Sequence, residues 1–467
     1  MSSRSANKSF DWIVATIYGC LLVIGWLMLY ATVYTEENPK AYLDLSTTIG
    51  KQSLWIGISL VTFIIVYAID WKVWNTFAYP LYIGSIILLV LVLLIGSEIK
   101  GARSWFTFAR VGFQPSEIAK FGTALAVSSY LSLYKTDIGL RKTLLTALGI
   151  LFVPILLILL QPDAGSAIVF SSILIVFYKK GLSELYFILG FAAISIFILS
   201  LIYDPQVVTL SVALIGTAVM IYNMAGSYRS IIFFIVLAAV AIILFVKGLS
   251  LYAFLLLAGV ASYYLYYYFQ ERDLRIPTLT IPAVLLAALF SFGSRFAFDN
   301  GLEKHQQERI NVWLNPEKCD PRGSLYNIIQ SKLAIGSGGF EGKGFLQGNM
   351  TKLNFVPEQT TDFIFSTVGE EQGFIGTLGV IFLFTLLLVR IVIIAERAKN
   401  EFISNYAYCV AGIIFIHFFV NVGMSVGLMP VIGIPLPFLS KGGSALLGFT
   451  IMIAALLKMD TARFRGA

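Results

Sequence analysis

The sequence predicts an all-α polytopic membrane protein, and three observations carry that prediction. Of its 467 residues, 58% are hydrophobic and only 13% are charged, whereas a soluble domain is about a quarter charged. Mean hydropathy is +0.83. Apolar runs of about 20 residues, long enough to cross a bilayer core as a helix, recur along the chain. The net charge of +7 would point to nucleic acid in a soluble protein. Here the cations cluster in short loops, so they read as topology control by the positive-inside rule.

The apolar runs place spans at about 11–33, 52–69, 77–96, 115–134, 143–160, 166–178, 183–202, 207–224, 228–246, 250–269, 278–294, 373–394, 405–428 and 445–458, about 14 in all. Pro115 suits the first position of its helix, where a missing N–H costs nothing. Gln161-Pro162-Asp163-Ala164-Gly165 breaks a helix at the membrane edge. Gly101–Lys120 reads as an amphipathic connection. Pro430–Ser444 holds three prolines and three glycines, so it is re-entrant or lies along a cavity mouth. Cation clusters at 135–142, 179–180, 390–399 and 458–465 put both termini inside and Arg295–Asp362 outside. The N-terminus reads as an uncleaved first span. Cys20, Cys319 and Cys409 have neither disulfide-framework nor metal-ligand spacing.

Arg295–Asp362 is the one long stretch without a membrane-length apolar run. It keeps Trp313, Tyr326, Phe340 and Phe355 throughout, so it reads as a folded loop. Asp320 lies in a turn beside Pro321. It could act as a general base or metal ligand, or serve only the turn. The loop cations Arg295, Lys304, Arg309, Lys318, Arg322, Lys332, Lys343 and Lys352 fit either an anionic ligand or a solvated surface. Gly336–Gly344 lacks P-loop spacing. Glu117 and Lys120 share one helix face and either line a cavity or snorkel to the surface. Asp362 reads first as a helix N-cap, with Glu370 and Glu371 two turns on. His417 and Asn421 are one turn apart and suit a packing hydrogen bond or proton transfer. His305 has no assigned role.

Five stretches then resemble the signature blocks of the SEDS (shape, elongation, division, sporulation) family, in that family's order: GARSWFTFARVGFQPSEIAK, QPDAGS, NPEKCDPRGSLYNIIQSKLAIGSGGFEGKG, VPEQTTDFIFSTVGEEQGFIG and HFFVNVGMSVGLMPVIGIPLPFLSKGGS. QSKLAIGSGGFEGKGFLQG and VPEQTTDFIF look more like the RodA (elongation) branch than the FtsW (division) branch. The resemblance implies a SEDS-type helical bundle of about ten core spans. Residues 1–182 and 270–467 would hold the core spans, the latter with the extracytoplasmic loop 295–362, and 183–269 would be an insert of about four extra helices.

It also implies a peptidoglycan glycosyltransferase in the bacterial cytoplasmic membrane that polymerises lipid II, with lipid-II flipping as the competing reading. Asp320 matches the family's catalytic loop aspartate. Glu117 and Lys120 match the polar pair of its central cavity, and Arg103 and Trp105 fall in the GARSW block. With the loop cations and the VPEQTTD block, the expected substrate-binding set is Glu117, Lys120, Trp105, Arg103, Arg309, Lys332, Lys343, Glu358 and Asp362. No metal ligand is assigned. A divalent cation, Mg or Mn, could assist the leaving diphosphate. The expected partners are a class B penicillin-binding protein and other elongation-complex proteins, with no nucleic acid. Two departures stand out: Thr360 replaces a frequent histidine, and Lys441 a usual aromatic.

Overall fold

A computed structural model of the chain describes residues 10–34, 42, 44–99, 101–108, 111–133, 136–225, 228–270, 275–320 and 323–464. Helices dominate, in the order α1 (Trp12–Val33), α2 (Thr48–Ala68), α3 (Trp71–Thr76), α4 (Ala78–Ile95), α5 (Pro115–Leu131), α6 (Arg141–Leu159), α7 (Ala164–Phe170) and α8 (Leu174–Lys179). Then follow α9 (Glu184–Ile202), α10 (Pro205–Ala225), α11 (Tyr228–Val246), α12 (Ser250–Gln270), α13 (Arg275–Gly301) and α14 (Lys304–Leu314). The last are α15 (Ser324–Ser337), α16 (Asn349–Lys352), α17 (Ile364–Arg397), α18 (Glu401–Ser425) and α19 (Gly443–Asp460). Among the described residues, 12 helices are long and apolar enough to cross a membrane. The other two expected spans are shorter: α5 has 17 residues, and 166–178 is divided between α7 and α8.

The sequence reading missed a small sheet. Gly101–Lys120 is more than a connection: β1 (Ser97–Ile99), β2 (Ala102–Phe108) and β3 (Val111–Phe113) form a three-stranded antiparallel sheet in chain order. It leads directly into α5, whose first residue is Pro115. Helix α13 extends into the 295–362 stretch as far as Gly301, and α14, α15 and α16 lie within that stretch.

The chain divides into two compact units, residues 1–182 with 320–467, and residues 183–319. In the first, α5, α18 and α19 are the most enclosed helices, and their apolar side chains share one core with α1, α2, α7 and α17. Gly25 makes one close approach possible: a Cβ there would lie 2.6 Å from the Phe438 carbonyl and the Leu439 Cα. Where α1 begins, Asp11 caps it and accepts hydrogen bonds from Arg390 and Arg397 of α17. Arg397 also reaches Asp460 at the end of α19, at 2.6 Å. Burial alone would raise the Asp11 pKa, but these hydrogen bonds outweigh it and hold the carboxyl below its ordinary 3.8.

The second unit has its own core, built on Leu210, Met220, Leu237, Leu257, Tyr264 and Tyr268 of α10–α12. The Tyr268 hydroxyl donates to the Met220 carbonyl at 3.1 Å. In this unit α13 packs on α9 and α10. At Gly216 an added Cβ would lie 2.5 Å from Val284.

Candidate functional site

The centre of the first unit is a buried charge pair. Lys120 Nζ lies 2.8 Å from Glu117 Oε2, with the two side chains 1% and 4% exposed. Snorkelling is therefore not their role. The same ammonium lies 3.0 Å from His417 Nε2 on α18 and 5.1 Å above the Phe449 ring on α19. Burying charges inside a span is costly unless they are paired, and each of these contacts lowers that cost.

His417 leads to the irregular 430–442 segment through Nδ1, 3.0 Å from the Pro435 carbonyl. One turn further along α18, Asn421 Nδ2 donates to the Ile434 and Asp362 carbonyls at 2.7 and 2.9 Å. The Lys441 amide donates to the Thr360 carbonyl at 2.8 Å, and Ser440 Oγ to that of Thr361. The segment is thus non-helical, as its prolines and glycines require, and α18 and the 358–362 turn satisfy its polar groups.

Two further motif blocks meet the same region. Asp163 caps α7 and accepts from Ser166, and Gln114 Nε2 just before α5 donates to it at 2.9 Å. A Cβ on Gly165 would come within 2.9 Å of the Ile432 carbonyl, so glycine permits that approach. Blocks scattered over more than three hundred residues therefore converge: 114–120, 161–166, 358–362, 417–421 and 430–442.

The other expected site residues have diverse settings. Asp320 is exposed, at the point where the chain returns to the first unit, and its carbonyl closes a turn with the Gly323 amide at 3.1 Å. Asp362 is not an N-cap, because α17 starts two residues later and its cap, Phe363, makes no side-chain bond. Glu358 has φ of 55°, a strained value for a side-chain-bearing residue, and its carbonyl accepts from the amides of Thr361, Asp362 and Phe363. Lys343 is not an open cation: it pairs at 2.6 Å with Glu370, which is 0% exposed. Lys332 lies against Gly427, where a Cβ would meet its Nζ at 2.4 Å. Arg103 pairs loosely with Glu98 on the sheet. Trp105, also on β2, packs its ring beside Gly112. Arg309 belongs to α14 in the other unit.

Lys441 adds a cation to the 430–442 segment. Burial and the neighbouring Lys51 charge hold its pKa below the ordinary lysine value, against the opposing pull of Glu358. Among the described residues, no three His, Cys, Asp or Glu side chains converge as a metal set.

Sequence reasoning missed two buried contacts. One is His417 as the partner of Lys120; the other is Glu370, which accepts from Lys343, the Met350 and Thr351 amides and the Thr351 hydroxyl. Their acidic and imidazole residue types in apolar helices were the available signal.

Such a molecule belongs to the class of polytopic membrane proteins that gather polar motif blocks around a charge pair buried among their spans. The sequence matches the FtsW/RodA/SpoVE family model, described as "Cell cycle protein", over residues 11–209 and 180–464, and the chain belongs to that family. It is 33% identical over 438 residues to "Peptidoglycan glycosyltransferase MrdB" of Escherichia coli strain K12, covering 93% of this chain and 91% of that one. It is 33% identical over 462 residues to "Peptidoglycan glycosyltransferase RodA" of Treponema pallidum, covering 97% of each. Identity to Stage V sporulation protein E of Bacillus subtilis is 28% over 463 residues, covering 98% of this chain and 99% of that one. The fold is similar to that of Thermus thermophilus rod shape determining protein RodA, with a TM-score of 0.56 and 22% identity over 98% of this chain and 99% of that one. A chain from a peptidoglycan synthase complex gives a TM-score of 0.61 at 23% identity, with the same coverage.

Proposed function

We propose that this protein is a peptidoglycan glycosyltransferase of the RodA type, which polymerises lipid II during cell-wall elongation. The observation that carries the reading is 33% identity, across more than nine-tenths of the chain, to relatives bearing that activity in their names. RodA-type relatives match at 33% and FtsW-type ones at 25–28%, which favours the elongation branch. The converged motif blocks support it, because a lipid-linked substrate needs polar groups beside an apolar groove.

In this reading the 4-hydroxyl of the acceptor sugar attacks the anomeric carbon of the donor. The new C–O bond forms as the bond to the undecaprenyl diphosphate breaks, inverting the centre, and the diphosphate leaves with the electron pair. Asp320 takes the hydroxyl proton. Its place in a turn at the loop surface suits a base that must reach a large substrate. Cations near the developing negative charge stabilise it: Lys332 is assigned this role, with Lys441 at the 430–442 segment. Glu117, Lys120, Arg103, Trp105, Glu358 and Asp362 shape the substrate path, and Lys343 holds the loop in place.

The loop would face outward from the bacterial cytoplasmic membrane, with both termini inside. A class B penicillin-binding protein would cross-link the product, and other elongation-complex proteins would join them. Residues 183–269 would be an insert outside the catalytic machinery.

The test is polymerisation of lipid II by the purified protein with its partner. Asp320→Ala should lower the rate by at least about 100-fold, the range of general-base loss, without loss of folding. Full activity in that variant would sink the base assignment. Lipid-II translocation by vesicles that form no polymer would favour a flippase. Adding a chelator tests for a metal requirement.

A further inference from the structure

His417 stands between a charge and a carbonyl, and only one form of its ring suits both. An ammonium has three donors and no acceptor. Nε2, 3.0 Å from Lys120 Nζ, must therefore offer its lone pair, which leaves the ring proton on Nδ1. Nδ1 faces the Pro435 carbonyl at 3.0 Å, a group that only accepts. The opposite tautomer would turn a donor on Lys120 and a lone pair on a carbonyl. An imidazolium would face an ammonium. The side chain is 2% exposed, so solvent offers no substitute partner.

A purely structural contact between α5, α18 and the 430–442 segment has no need of ionisable groups. Well-packed apolar side chains do as well or better than a buried ion pair. Three ionisable side chains in contact within apolar helices therefore point to function. The ring also acts on something with two ends. On one side is the Lys120–Glu117 pair; on the other is a segment whose neighbouring carbonyl, Ile434, is already held from α18 by Asn421.

We propose that His417 is a positioning residue for polymerisation: its Nδ1–H tautomer orients the Lys120 ammonium toward Glu117 and pins the 430–442 segment at Pro435. The role in polymerisation rests on the glycosyltransferase reading; the pinning does not. Lys120 is the group His417 acts through. A lost hydrogen bond here shifts the ammonium and frees one carbonyl, leaving the helices intact.

The experiment compares wild type, His417→Gln, His417→Ala, Lys120→Met and the Lys120→Met/His417→Ala double variant in nanodiscs. Lipid-II polymerisation gives kcat and KM, and hydrogen–deuterium exchange without substrate follows the 430–442 amides. Glutamine offers a carbonyl to Lys120 and an amide N–H to Pro435, so it can replace both contacts. His417→Ala should lower kcat by about 10- to 100-fold, the cost of a small misplacement, with KM changed by less than about threefold. His417→Gln should recover most of that loss. The double variant should be no slower than Lys120→Met alone. Exchange across 430–442 should speed up in His417→Ala and stay near wild type in His417→Gln.

Wild-type kcat in a folded His417→Ala variant would overturn the role in polymerisation, as would equal losses in Ala and Gln. A double variant much slower than Lys120→Met would show that His417 does not act through Lys120. If His417→Ala fails to insert, His417→Gln decides: a kcat loss of the size expected for Ala, with accelerated exchange, overturns the proposal. If wild type itself makes no polymer, the glycosyltransferase reading fails, and the exchange data still decide whether the ring pins the segment.

Discussion

Asp11 works at three places with one carboxylate: it caps α1 and bonds two arginines of α17, one of which also holds Asp460 of α19. Its pKa is held below 3.8. Stability from a depressed carboxylate is present above the unfolded value and lost as pH falls through the folded one. Asp11→Asn should therefore lower stability at pH 7 by about 1–3 kcal/mol, a buried-pair loss reduced by the partial exposure of the arginines. The gap to wild type should narrow only below pH 3.8, read by thermal unfolding across pH in nanodiscs. A gap unchanged down to pH 2 would contradict the assignment. Not all of this scale was legible in sequence. Glu117 and Lys120 could be placed on one face by their spacing, but Lys120 and His417 are 297 positions apart, and no local pattern pairs them. Asp362 misled because an acidic residue before an apolar helix usually caps it, whereas here the preceding turn absorbs its backbone.

At the scale of elements, α17 is broken on purpose at Gly373, where φ is 61° and ψ is −156°. A break leaves carbonyls and amides without helical partners. The 339–344 stretch supplies them: the Lys343 and Gly344 amides donate to the Glu370 and Glu371 carbonyls, and the Phe374 and Ile375 amides donate to Gly339 and Phe340. The glycine-rich run that failed as a P-loop thus has a structural use. An added Cβ on Gly373 would lie 2.3 Å from the Gly342 nitrogen. Gly373→Ala should destabilise this junction by about 1–3 kcal/mol and make the loop more susceptible to trypsin at Lys352. Digestion at the wild-type rate would rule the junction out. The membrane-length helices were legible from their apolar runs, and the non-helical 430–442 from its prolines, but the polar helices α14, α15 and α16 were not. The small sheet was not, although β2 exposes Arg103 and Thr107 and buries Ser104 and Phe106. Its period of two spans too few residues to stand out between long apolar helices.

At the scale of the molecule, the second unit takes in α9–α14, so α13 and α14 group with the helices that the sequence reading treated as an insert. Removing 183–269 would strip α13 of its contacts with α9 and α10. In water such a loss would expose an apolar face. In a bilayer lipid replaces the lost neighbours, and the cost is packing alone, since lipid tails are as apolar as the helices removed. The deletion also takes out an even number of spans, so the connection into α13 re-enters from the same side. The expected outcome is a protein that inserts correctly and retains lipid-II polymerisation above an Asp320→Ala background, at a reduced rate because α13 and α14 lead into the residues before Asp320. Cysteine labelling at each end of α13 checks insertion, and polymer length on gels reads activity. Correct insertion with no polymer at all would mean that α9–α12 hold the approach to the site, and the insert would then have to be counted as part of the catalytic scaffold.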